Sequence, residues 1–284
     1  MSRKFLLWIF AAACLSLLES QASAAATPEA LVDEYLHKSG LWAQLAQIEP
    51  GVQLGITQSD DQFRQLNDEQ LGRLREAASG AYGADRLRKA MRVELVAALP
   101  TSDAEQALQF LVTDLGKRVT ALEEAAASPA DANHIEAIAA EAAATLTPSR
   151  KELIGRMVKA TRLVELAATI VINQQLGVMR GYAFYGGRAD PSTADDIKSK
   201  MDLYRDQMIG ALEPRLTAHA AVIYGPLSEQ EMIRYVAFLE SPAGQKTSDL
   251  TSAALDKVLA AAAFELGRRI GDAVKPADAK STRL

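Results

Sequence analysis

The sequence predicts an all-α protein made of two tandem, sequence-related repeats of antiparallel amphipathic helices, and three observations carry that prediction. Ala supplies close to one residue in five of the 284, against 17 Gly and 10 Pro, so intrinsic propensity favours helix along most of the chain. Half of the prolines stand directly behind good N-cap residues, at the first helical position, where a missing N–H leaves no hydrogen bond unmade. Apolar residues recur three and four apart, and strand-like alternation is almost absent.

The chain opens on Arg3 and Lys4, then an apolar run from Phe5 to Leu18 broken only by Ser16, then Ala22-Ser23-Ala24. A basic start, an apolar middle and a small-x-small site predict a cleaved signal peptide over residues 1–24. At 1.5 Å per residue the apolar run is too short for a hydrocarbon core about 30 Å thick. The single Cys, Cys14, follows Ala11-Ala12-Ala13, which admits a lipoprotein acylation site. Position 11 lacks the Leu-like residue such a site wants, and Ser23-Ala24-Ala25 is the easier cut.

Cleavage after Ala24 would remove Arg3, Lys4 and Glu19, taking the net charge from -5 to -6 and leaving no Cys. A cysteine-free chain has no disulfide, thiol nucleophile or thiolate metal site. Its acidic balance argues against nucleic acid or an anionic membrane as partner. No later segment holds 18 uninterrupted apolar residues, so no integral membrane segment is expected in the mature chain. In a Gram-negative bacterium the destination would be the periplasm.

The helices follow in order. Thr27-Pro28 opens the first, and Leu31, Tyr35, Leu41, Leu45 and Ile48 keep the helical rhythm. Asn67 with Gln70, and Ser102 with Glu105, have the spacing of capping boxes. Ser128-Pro129 and Thr147-Pro148 open further helices, and Leu163, Leu166, Ile170 and Gly177 line one stripe of a long one. Asp190-Pro191 starts another, which Val222-Ile223-Tyr224 ends before Gly225-Pro226. Ser228 with Glu231 forms a third capping box, and Ser241-Pro242 opens the last helix. Residues 275–284 lack periodicity and are expected to be a mobile tail.

The halves resemble each other. Leu31-Val32, Leu36, Ser39, Leu41 and Ile48 recur 122 residues later as Leu153-Ile154, Val158, Thr161, Leu163 and Ile170, and Leu54-Gly55-Ile56 recurs as Leu176-Gly177-Val178. The offset drifts to 126 at Pro100, Ser102 and Glu105, and to 128 at Phe110-Leu111 and Gly116. Such drift is what loop insertions produce. The organisation expected is a first repeat over 25–127, a connecting segment over 128–147, and a second repeat over 148–274.

One departure between the copies is a candidate binding loop, Gly181 to Arg188, whose Tyr182, Phe184, Tyr185 and Arg188 replace the polar stretch from Thr57 to Gln62. Rigid rings flanked by glycine supply contact area to a partner, or else tuck back onto their own helix ends. A second candidate is the stretch from Phe238 to Lys246. Ser241 would cap a helix, Pro242 fix its first turn and Gly244 allow close packing, with Ser241 and Lys246 on a recognition surface as the alternative.

An aromatic-x-x-Ser-Pro-x-Gly-x-Lys stretch, here Phe238, Ser241, Pro242, Gly244 and Lys246, behind a helix opening Leu227-Ser228-Glu229-x-Glu231, resembles the bacterial domain-of-unknown-function 2059 family. The resemblance spans residues 200–273 and is weaker in the first copy, where Thr113-Asp114-Leu115-Gly116-Lys117 keeps Gly and Lys without Ser and Pro. It implies an exported helical protein of a family without established activity.

Chemistry is sparsely signalled. Glu34 and His37 stand three apart, as in a di-iron bundle, but no second Glu-x-x-His pair exists. His134 and His219 have no partner at zinc-motif spacing. Hydrolase elbows, phosphate loops and dinucleotide fingerprints are missing. The acidic pairs Glu123-Glu124 and Asp195-Asp196 read as solvated helix faces. No catalytic residue, metal or cofactor is therefore predicted. The leading expectation is a non-enzymatic envelope protein binding a protein partner. The alternative is a carrier of a small apolar or lipid ligand between helices such as Leu163 to Val178.

Overall fold

The fold is that of a computed structural model describing residues 26–58, 67–185 and 191–273, without the side chains of 183–185, 191–204 and 273. The signal peptide with Cys14, the Asp190 cap, Arg188 and the tail lie outside the described residues. All regular structure among the described residues is helical. The first half comprises α1 (Pro28–Lys38), α2 (Leu41–Gln58), α3 (Asp68–Tyr82), α4 (Ala84–Ala98), α5 (Thr101–Leu111) and α6 (Asp114–Ala126). After α7 (Pro129–Ala144) come α8 (Pro148–Ala160), α9 (Leu163–Tyr185), α10 (Pro191–Ile223), α11 (Glu229–Leu239) and α12 (Pro242–Ala273).

The caps act as their chemistry requires. Thr27, Ser128 and Thr147 each accept a backbone N–H three residues on, ahead of a proline in the first turn. Asn67 with Gln70 and Ser228 with Glu231 make reciprocal capping boxes. The third expected box does not form. Helix α5 starts at Thr101, Pro100 is its N-cap through the backbone carbonyl, and Ser102 is already inside the helix. Four starts had no Pro or capping-box signal. Two of them follow left-handed residues, Gly40 (φ 76°) before α2 and Arg162 (φ 49°) before α9, while α4 begins behind Gly83 and α6 behind Thr113.

Buried apolar side chains form two clusters. The first joins Leu31, Val32, Tyr35 and Leu36 of α1 with Leu87, Met91 and Leu95 of α4 and Ala104, Ala107 and Leu108 of α5. It is completed by Ala254, Val258, Leu259 and Ala262, which belong to α12, the last helix of the chain. The second joins Leu153, Ile154, Met157 and Val158 of α8 with Met232, Tyr235, Val236 and Leu239 of α11. It includes Leu115 and Val119 of α6, the last helix of the first half. Each half thus sends its final helix into the apolar cluster of the other.

Helix α12 is also clasped against α9. A Cβ on Gly177 would lie 2.8 Å from the Ala260 carbonyl oxygen, one on Gly181 would strike the Phe264 carbonyl, and one on Gly267 the Val178 carbonyl. Glycine spacing along α9 therefore sets how closely α12 approaches. Two prolines, Pro50 and Pro214, sit within α2 and α10 rather than at their starts.

Candidate functional site

The breaks before α6 and α12 have the same chemistry, 128 residues apart. Thr113 Oγ1 donates to the Phe110 carbonyl (2.7 Å) and accepts from the Gly116 N–H (3.0 Å). Ser241 Oγ donates to the Phe238 carbonyl (2.6 Å) and accepts from the Gly244 N–H (3.1 Å). At Gly116 and Gly244 a Cβ would strike the Phe110 or Phe238 carbonyl, so glycine lets the new helix fold back against the end of the old one. Thr113 does the work of Ser241, and the break before α6 forms without a proline. The two rings ahead of the breaks, Phe110 and Phe238, stack on one another, centroids 4.0 Å apart and planes within 7°.

Around that stack lies a cavity of about 250 Å³ between the halves. Its wall holds pairs of residues separated by the offsets found in the sequence: Ser39 and Thr161, Leu41 and Leu163, Leu111 and Leu239, Thr120 and Ser248, Glu123 and Thr251. The exchanged helices face it, α6 with Val119, Thr120 and Glu123 and α12 with Thr247, Ser248 and Thr251. Helix exchange and the 128-residue spacing therefore meet at one place.

The polar groups of the cavity are specific. Glu123 Oε1 accepts the Tyr224 hydroxyl at 2.7 Å and the Tyr235 hydroxyl at 2.8 Å. Burial pushes the Glu123 carboxyl above its ordinary pKa, against the lowering effect of the two hydroxyls. Burial, joined by the neighbouring carboxylate, raises both tyrosines well above their ordinary value, so they remain donors. Tyr35 and Thr251 share a hydrogen bond of 3.0 Å, and burial pushes the Tyr35 hydroxyl up to about 12. Thr120 donates to the Lys38 carbonyl at 3.0 Å. Thr247 is buried, 3% exposed, and its hydroxyl has no partner among the described residues.

This geometry overturns one expectation. Glu123 is half-buried and faces the cavity, whereas the sequence read Glu123-Glu124 as a solvated face. The signal was its position: Glu123 follows Leu115 and Val119 at four-residue steps, on the buried stripe of α6. Tyr224, Tyr235 and Thr247 carried no motif and were missed as site residues.

The first part of the expected binding loop is helical. Residues 181–185 continue α9, because Gly181 admits α12 and the helix runs past it. Tyr182 is half-buried there; the side chains of Phe184 and Tyr185, and Arg188 entirely, lie outside the described residues. Lys246 reaches Asp103 at 3.0 Å, tying α12 to α5 of the other half. His37 stacks on Trp42 (4.5 Å), His219 meets Glu136 (2.7 Å), and His134 is exposed. Among the described residues no three His, Asp or Glu come together as metal ligands would. A second, polar recess shares Thr161 and Ser252 with the cavity; in it Arg162 lies 3.9 Å from Asp249, Arg205 donates to Thr169, and Asp256 accepts from the Asn173 amide.

Residues 207–272 match the family described as "Uncharacterized protein conserved in bacteria (DUF2059)". The match falls where the resemblance placed it. No curated protein and no solved structure matches the chain. The DUF2059 segment takes in the second half of α10, all of α11 and nearly all of α12. It holds the Ser-Pro-x-Gly break and contributes Tyr224, Tyr235, Thr247 and Thr251 to the cavity. The first half supplies Glu123 and Tyr35.

Proposed function

We propose that this is an exported, non-enzymatic helical protein that holds a small ligand between its two halves. The observation carrying the reading is the cavity at the Phe110–Phe238 stack, where a buried hydroxyl without a partner and a carboxyl stand in a mainly apolar wall. Apolar walls with a few placed polar groups are how small-molecule sites are built. Export rests on residues 1–24, and no helix among the described residues is long and apolar enough to cross a membrane.

Native mass spectrometry on the chain purified gently from its own cell envelope tests this. The expected result is an N-terminus at Ala25 and an added mass of a few hundred daltons that organic extraction removes. A bare monomer mass under conditions that preserve hydrogen-bonded complexes would contradict it.

A second reading, docking of an envelope protein, draws on Val171 and Met179, large apolar side chains exposed on α9 ahead of the aromatic segment. Partner capture that survives deletion of residues 182–188 would remove that segment from the docking surface.

A further inference from the structure

We propose that the ligand of this cavity is a small organic ammonium ion with an apolar body, its charge met by Glu123. The inference rests on the ligand-holding reading above and adds the chemical class.

The cavity wall contains Glu123 and no Lys, Arg or His. Both groups that bond the carboxyl are neutral hydroxyls, and both donate to the same oxygen, Oε1. Among the described residues Oε2 accepts nothing, so one carboxylate oxygen and the whole counter-charge are left to whatever enters. A carboxyl whose proton affinity is raised by burial is held in its charged form by a cation that pairs with it, because neutral donors do not replace the lost hydration of a full charge. An ammonium group supplies both the donor for Oε2 and the charge. The buried Thr247 hydroxyl, without a protein partner, offers an acceptor for a further N–H. Aromatic rings on the same wall, Phe110, Phe238, Tyr224 and Tyr235, accept a cation's company better than an anion's.

Other ligand classes fit less well. A carboxylate or phosphate ligand would meet Glu123 with like charge. A neutral alcohol would satisfy Oε2 and leave the charge unmatched. Arg162 and Arg205 line the neighbouring recess, where they meet Asp249 and Thr169, and Arg150 is taken up by the backbone carbonyls of Tyr224 and Leu227.

The test titrates the full chain, at pH 7, with three probes of one shape: phenethylammonium, 2-phenylethanol and phenylacetate. Calorimetry on wild type is expected to rank the ammonium about tenfold or more tighter than the alcohol, as a charge-assisted hydrogen bond replaces a neutral one, with phenylacetate weakest. Glu123→Gln, which keeps an acceptor for the tyrosines, should erase that preference and leave the alcohol nearly unchanged. Thr247→Val serves as a second variant and should weaken the ammonium alone.

Equal binding of ammonium and alcohol, or preference for phenylacetate, would overturn the ammonium assignment while leaving a ligand-holding cavity. A preference that persists in Glu123→Gln would overturn the role of Glu123. No binding by any probe at millimolar concentration would overturn both the assignment and the reading it rests on.

Discussion

Burial raises the Glu123 carboxyl, whereas the guanidinium of Arg268, joined by that of Arg269, holds Glu265 down to about 2, and the two acids leave opposite marks on stability. For Glu123 the unfolded chain loses its proton first, so stability falls as pH rises above the ordinary carboxylate value of 4.5 towards the raised folded value. Urea denaturation of Glu123→Gln beside wild type should therefore show a gap in favour of the variant that widens as pH rises from 4.5; a gap independent of pH would contradict the burial account. For Glu265 the sign reverses. Its contribution is present above 4.5 and is lost as pH falls towards about 2, so Glu265→Gln should flatten part of the acid limb of the same profile. Glu136, Glu231 and Glu240, whose carboxyls are also held low by hydrogen-bonded partners, contribute to the same limb. The Glu231 cap was legible in sequence through its spacing from Ser228, but the role of Glu123 was not, because Glu123 beside Glu124 looks like any solvated pair and its tyrosine partners lie 101 and 112 residues away.

The clasp between α9 and α12 depends on absent side chains. Gly181→Ala should cost several degrees of melting temperature, since the added methyl would meet the Phe264 carbonyl and the backbone of α12 must shift, an overpacking cost of about 1–3 kcal/mol. Gly155→Ala in α8 meets nothing within 4 Å and should instead stabilise, by about 0.5–1 kcal/mol. If both substitutions moved the melt alike, the close approach of α9 and α12 would be in error. At the break before α12, Ser241→Ala removes an N-cap and should cost about 1 kcal/mol, while Pro242→Ala should cost less, because Pro242 only fixes the first turn. Helix starts were legible wherever a side chain caps them. They were hidden where the backbone alone does the capping, as at Pro100, or where the chain turns through a left-handed residue, as at Gly40 and Arg162. The glycine pair at 177 and 181 was read as helix and loop, since spacing alone does not say which neighbour presses against it.

The exchange of α6 and α12 makes the halves interdependent. A fragment of residues 26–127 would lack Val258, Leu259 and Ala262 in its apolar cluster, and a fragment of 148–273 would lack Leu115 and Val119. Each alone should be poorly folded by circular dichroism, and mixing the two should restore a cooperative melt; a cooperative melt from either fragment alone would contradict the exchange. Internal similarity at offsets of 122 to 128 residues pointed to two related halves, but no local pattern says that a helix also packs into the cluster of the other half. Both α6 and α12 contribute to the wall of the cavity. Met157 lines the cavity, while Met91 and Met232 are fully buried and are not part of its wall. Methyl NMR of the methionines during titration with an organic extract of the cell envelope tests the central claim most directly. A shift of the Met157 methyl that saturates, with Met91 and Met232 still, is the predicted result; a Met157 signal that never moves, or three that move together, would contradict a ligand site between the halves.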